Sequence, residues 1–203
     1  MRLFMNLRKK RMFKNLARFY YNKGLRLARE DQIKPAVNNL IKAISYSSDF
    51  IEAWNLAGLC YYRLGNYETA KYCWVQSVNK PWKENGASQY LADLRNDLEE
   101  ADPYFSQVAS LCRQEKYGEA AEVLDKEICS KFDLSTALLN LLGVLQVLDG
   151  KTYRAVKSWR TVLSFDKFNT DAPRYLADME KSLSYKLFKW KERLFKRNDI
   201  KGI

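Results

Sequence analysis

The chain contains no histidine among its 203 residues. Without an imidazole there is no histidine general base and no histidine metal ligand, which removes the usual serine and cysteine triads. Proline and glycine are scarce, at four and eight residues. That scarcity argues against a turn-rich β fold and against a low-complexity, disordered chain. The four cysteines, Cys60, Cys73, Cys112 and Cys129, are widely and unevenly spaced, which fits neither a metal knuckle nor a redox pair. They read as buried, reduced, small apolar residues, in keeping with a reducing cytoplasm. No run approaches the roughly 20 apolar residues of a membrane span, and the N-terminus lacks the continuous apolar core of a secretory leader. There is no phosphate-cradling glycine loop, and acidic pairs such as Glu99-Glu100 have no partner chemistry beside them. No catalytic residue, cofactor or metal site is therefore expected, and the chain reads as non-enzymatic.

What is present is 47% hydrophobic and 14% aromatic residues, enough for a folded, helix-biased chain with a usable core. A repeat organises it. Trp54, Gly58, Tyr61, Gly65, Tyr67, Ala70 and Trp74 are matched one period earlier, in the same order, by Tyr20, Gly24, Leu27, Asp31, Ile33, Ala36 and Leu40. Small residues at Gly24, Gly58, Ala36 and Ala70 would let two helices of a hairpin approach closely, and large ones fill the space around them. Gly65-Asn66-Tyr67 is a turn signal between two helical runs. The aromatic group Tyr61, Tyr62, Tyr67, Tyr72 and Trp74 has the spacing of a hairpin core.

A longer period overlies the short one. Asn55, Gly58, Gly65, Ala70, Trp74, Ala87, Tyr90 and Asp93 recur at one constant offset as Asn140, Gly143, Gly150, Ala155, Trp159, Ala172, Tyr175 and Asp178. The chain thus divides into a basic N-terminal segment, residues 1–16, and two duplicated modules. The first, 17–100, comprises hairpins 17–50 and 51–84 and an extra helix 86–100. The second, 101–203, comprises hairpins 101–135 and 136–170 and a basic capping helix 172–197. The extra helices alternate apolar and polar positions, as a helix covering the end of a stack does.

The pattern of residues 54–70 resembles the tetratricopeptide repeat, a helix–turn–helix unit of about 34 residues, and Pro81 approximates the proline that commonly closes such a unit. The resemblance implies an all-α solenoid of about four such units, non-enzymatic, serving as a scaffold or adaptor for a protein or peptide held in a concave groove. Transferred along the repeats, it implies a groove presenting Tyr21, Asn22, Arg29, Asn55, Leu59, Tyr62, Arg63, Phe105, Arg113, Asn140 and Val144. Arg29, Arg63 and Arg113 fall at equivalent places in three units, where guanidinium groups could pair carboxylates of an acidic ligand.

Charge is unevenly spread. Residues 1–29 carry ten Lys or Arg and no acid, residues 181–203 carry eight against Glu192 and Asp199, and the whole chain is +11. The repeat body is therefore mildly acidic and its ends basic. Two readings of the ends stand beside each other. Their interleaved apolar residues, Leu3, Phe4, Leu7, Phe13, Leu16 and Phe19 at one end and Leu187, Phe188, Trp190, Leu194 and Phe195 at the other, either dock on the neighbouring hairpin or form interfacial helices on an anionic membrane. Nucleic acid is disfavoured as a partner because no zinc, helix-turn-helix or ribonucleoprotein signature accompanies the charge.

Overall fold

The computed structural model describes residues 2–80, 86–132 and 135–181, with the side chains of 2–7 and 180 set aside. Among these residues it is all helix: α1 (Arg2–Arg29), α2 (Ile33–Tyr46), α3 (Ile51–Leu64), α4 (Tyr67–Val78), α5 (Ala87–Arg113), α6 (Tyr117–Val123), α7 (Thr136–Leu148), α8 (Thr152–Phe165) and α9 (Asp171–Lys181). A π-helical turn, Leu124–Ile128, prolongs α6. Each helix packs on its neighbours in sequence, giving the helical-repeat solenoid expected from the sequence.

Four hairpins share one turn geometry. A left-handed residue stands one or two places after the first helix in every case: Asp31 (φ 60°), Gly65 (φ 79°), Glu115 (φ 58°) and Gly150 (φ 75°). At each, the following amide donates back five residues and the left-handed residue's own amide donates back three. Asn66 N–H meets the Tyr61 carbonyl at 2.9 Å, and Lys151 N–H meets that of Gln146 at 2.7 Å. Gln32 and Lys116 do the same toward Leu27 and Leu111. This closes the orphan carbonyls of the helix end and reverses the chain. Asn66 then caps α4, its side chain accepting from Thr69 N–H at 3.2 Å, as a short polar residue at that place should.

Within the hairpins the small-residue positions do what their class implies. A Cβ at Gly58 would lie 2.3 Å from Trp74 Nε1, and one at Gly143 would lie 2.4 Å from Trp159 Nε1. Each indole also donates to the carbonyl three residues before its glycine, Trp74 to Asn55 and Trp159 to Asn140, both at 3.3 Å. Each ring then leans on the tyrosine of the following helix, Tyr90 at 5.3 Å and Tyr175 at 5.1 Å. In the first hairpin Leu40 stands against Gly24 in the same manner.

Three features differ from expectation. The expected segment 1–16 is not set apart: its described part, residues 2–16, is the first half of α1, which runs unbroken to Arg29. The helix expected over 86–100 does not end there, because α5 continues through Pro103 to Arg113 as the first helix of the third hairpin. Ala87, Leu94, Ala101 and Val108 are all buried, a heptad-spaced stripe that holds one straight face across the expected boundary, while Pro103 points to solvent. Tyr72, expected in the core, is 55% exposed and meets Trp54 edge-on at 6.0 Å. The capping helix is described only as far as Lys181; its remainder and Pro81 lie outside the described residues.

The core is in three parts. One lies among α1, α2, α3 and Cys73 of α4, and one among α7, α8 and α9. The largest joins Ala70 and Trp74 of the second hairpin, the α5 stripe, Leu124 and Ile128, and Leu138, Leu142 and Leu145 of α7. It spans the α5 region continuously, so the array is not split there.

Replacing Gly58 or Gly143 by alanine is expected to cost about 1–3 kcal/mol through the clash with the indole. Glu115→Gly, at an exposed left-handed position, should instead stabilise by roughly 0.5–1 kcal/mol. Urea denaturation of the three variants checks both signs.

Candidate functional site

The residues expected in one groove fall into separate settings. On α1, Asn22 and Arg29 are exposed and Tyr21 is half-buried, its ring 4.9 Å from Phe50. Burial, then the carboxylate of Glu52, raises the Tyr21 phenol, and Arg29 opposes them. On α3, Asn55 is half-buried with its carbonyl engaged by Trp74, Leu59 is exposed, and the Arg63 guanidinium lies 3.9 Å from the Asp31 carboxylate. Arg113 is exposed in the last turn of α5. Asn140 is buried in α7, where its carbonyl holds Trp159, and Val144 packs against the third core cluster.

Tyr62 and Phe105 are brought together, but around a plug. Phe132 is buried, with ring centroids 6.4 Å from Tyr62, 4.8 Å from Tyr67 and 6.2 Å from Phe105. Both residues expected to face a ligand thus face Phe132. Burial raises the Tyr67 phenol here, with Ser135 opposing it. Phe132 carried no signal in the sequence, because it sits in the connection before α7 and belongs to no helical period.

The helices bearing the expected groove residues are also arranged differently. α3 meets α7 end to end: a Cβ at Gly65 would lie 2.5 Å from that of Ala137. Nearby, the turn after α8 closes onto the turn after α1. Lys167 N–H donates to the Asp31 carbonyl at 2.9 Å, its ammonium donates to the Glu30 carbonyl at 2.9 Å, and Lys34 donates to Thr170 Oγ1 at 3.0 Å. The Asp31 carboxylate lies 3.9 Å from both Arg63 and Lys167. Asp166, fully buried, has its carboxyl raised by that burial. It accepts from Asn169, whose own side-chain oxygen takes the Asp171 and Ala172 amides and so starts α9.

A cleft of 340 Å³ is lined by Ala28, Ile33, Leu56, Leu59, Cys60, Tyr62 and Arg63. Leu59, Tyr62 and Arg63 are members of the expected groove; Phe105, Arg113, Asn140 and Val144 do not line this cleft. A second hollow of 470 Å³ lies between α4 and the first half of α5, floored by Val75, Leu91, Leu94 and Leu98 and rimmed by Lys71, Arg95 and Glu99; the repeat alignment gave no sign of it.

Among the described residues no group of three or more Cys, Asp and Glu is placed to hold a metal ion, and no described helix is long and apolar enough to cross a membrane. Cys60 and Cys73 are buried, whereas Cys112 and Cys129 are only half-buried, a correction to the sequence reading. Burial pushes the Cys60 and Cys129 thiols up to about 12 and Cys73 to about 11.

These hairpins, turns and glycine–indole contacts define a helical-repeat protein. The family model of the tetratricopeptide repeat matches residues 51–73, from the first residue of α3 into α4, so the second hairpin is similar to that repeat. No curated protein matches the chain in sequence. Such repeats are as a rule non-catalytic modules of protein–protein interaction.

At pH about 8, a raised pKa leaves Cys60 with roughly a thousandfold less thiolate than an unburied cysteine. A thiol reagent is therefore expected to spare Cys60 and Cys73 in the native protein and to modify them once the chain is unfolded. Mass mapping of the labelled peptides checks this.

Proposed function

We propose that this protein is a non-catalytic scaffold that holds a segment of a protein partner against the inner faces of α1 and α3. The observation that carries the reading is the cleft that α3 forms with Ala28 of α1 and Ile33 of α2. Its floor is apolar, with Leu59 at 36% exposure, and its rim carries the Arg63 guanidinium. Arg29, which follows the cleft residue Ala28, is exposed. An apolar side chain of the partner would fill the cleft while its carboxylates pair with Arg29 and Arg63, the planar fork of arginine suiting that role. Arg63 already leans on Asp31, so an acidic partner competes with an internal carboxylate, and binding weakens as salt rises. The unpaired cysteines suit a reducing compartment such as the cytoplasm.

Affinity capture from lysate at about 150 mM salt tests this with Leu59→Asp, the triple Arg29→Glu, Arg63→Glu, Arg113→Glu, and Arg113→Glu alone. The first two are expected to lose a partner that the wild type and Arg113→Glu keep. Retention by Leu59→Asp at unchanged thermal stability would exclude the cleft.

A further inference from the structure

The sequence singled out a basic N-terminal stretch that the cleft does not use, and its position in the fold is distinctive. α1 has 28 residues and α2, its hairpin partner, has 14. Phe13 stacks on Tyr46, the last residue of α2, at 6.1 Å. Residues 2–12 therefore run roughly 16 Å past the hairpin at 1.5 Å per residue, and every described side chain from Arg8 to Asn15 is exposed.

This projecting helix has two apolar faces. Ala17, Gly24 and Leu27 are buried against the rest of the first hairpin. Met12, Leu16 and Phe19, spaced by four and three residues, form a second face roughly a quarter-turn or more away. Met12 is 51% and Phe19 60% exposed. With Arg8, Arg11 and Asn15 they line a shallow, almost wholly apolar depression of 500 Å³.

We propose that the first half of α1 docks on an anionic lipid bilayer, with Met12, Leu16 and Phe19 seated at the headgroup–acyl boundary and Arg8 and Arg11 on lipid phosphates. Charge complementarity selects this occupant: ten cationic residues and no acid lie in residues 1–29. A second copy would bring the same unneutralised charge against itself. A polynucleotide would use the charge but leave the exposed Met12 and Phe19 faces in water. A bilayer takes both, since the long stems of the arginines lie along the apolar boundary and their heads reach the phosphates. The inference is independent of the cleft, and its variants lie outside it.

Sedimentation of the full chain with vesicles tests it, comparing phosphatidylcholine alone with phosphatidylcholine containing phosphatidylglycerol, at low and high salt. Binding is expected only to the anionic vesicles and to weaken with salt. Met12→Ser with Phe19→Ser, and separately Arg8→Glu with Arg11→Glu, should each lower partitioning by about tenfold or more at unchanged thermal midpoint, since all four residues are exposed. Three results would overturn the proposal: no binding to anionic vesicles, binding that all α1 variants retain, or binding lost only on charge reversal and equalled by RNA.

Discussion

The packing of one indole onto one glycine sets the distance between the helices of two hairpins, and the neighbouring helices are placed from there. Trp74 over Gly58 and Trp159 over Gly143 leave no room for a single added carbon. The same rings donate a hydrogen bond across the hairpin and lie tilted against Tyr90 or Tyr175 on the next helix. One side chain thereby fixes the spacing within a hairpin, its axial register and the seat of the following helix. Its near-identical geometry in the second and fourth hairpins is the physical content of the duplication seen in the sequence.

The turns are the second constraint, and they show how one backbone solution tolerates different residues. Gly65 and Gly150 adopt the left-handed conformation without a steric cost, whereas Asp31 and Glu115 adopt it at some expense. Asp31 has a return on that expense, because its carboxylate stands between Arg63 and Lys167 and its carbonyl receives the Lys167 amide. The closure of the last hairpin's end onto the first hairpin's turn is thus built on a strained aspartate in place of the glycine used in the second and fourth hairpins.

That closure and the Phe132 plug shape what the inner surface can offer. A regular row of first helices would present one continuous groove, with its arginines in line. Here α3 abuts α7, Phe132 occupies the space between Tyr62, Tyr67 and Phe105, and Asn140 is spent on the helix–indole contact. Apolar hollows among the described residues include the cleft by α3, the one beside α5 and the depression on the first half of α1. Arg8 and Arg11 line the depression on α1, Arg63 is the one charged residue lining the α3 cleft, and Lys71, Arg95 and Glu99 rim the α5 hollow, so any partners they take differ in chemistry.

The sequence by itself determined the repeat. Residue size at Gly58, Ala70 and Trp74, turn chemistry at Gly65-Asn66, and their recurrence are local properties, and a local packing motif repeats wherever its residues repeat. It also holds the heptad spacing of Ala87, Leu94, Ala101 and Val108, whose burial carries α5 past its expected end. Only the tertiary structure decided which of the expected residues stand around one cleft and which pack elsewhere. The meeting of Gly65 with Ala137, of Asp31 with Lys167, and of Phe132 with three rings joins positions far apart in the chain. Contacts at that separation depend on the accumulated rotation of the whole array, which no window of sequence contains.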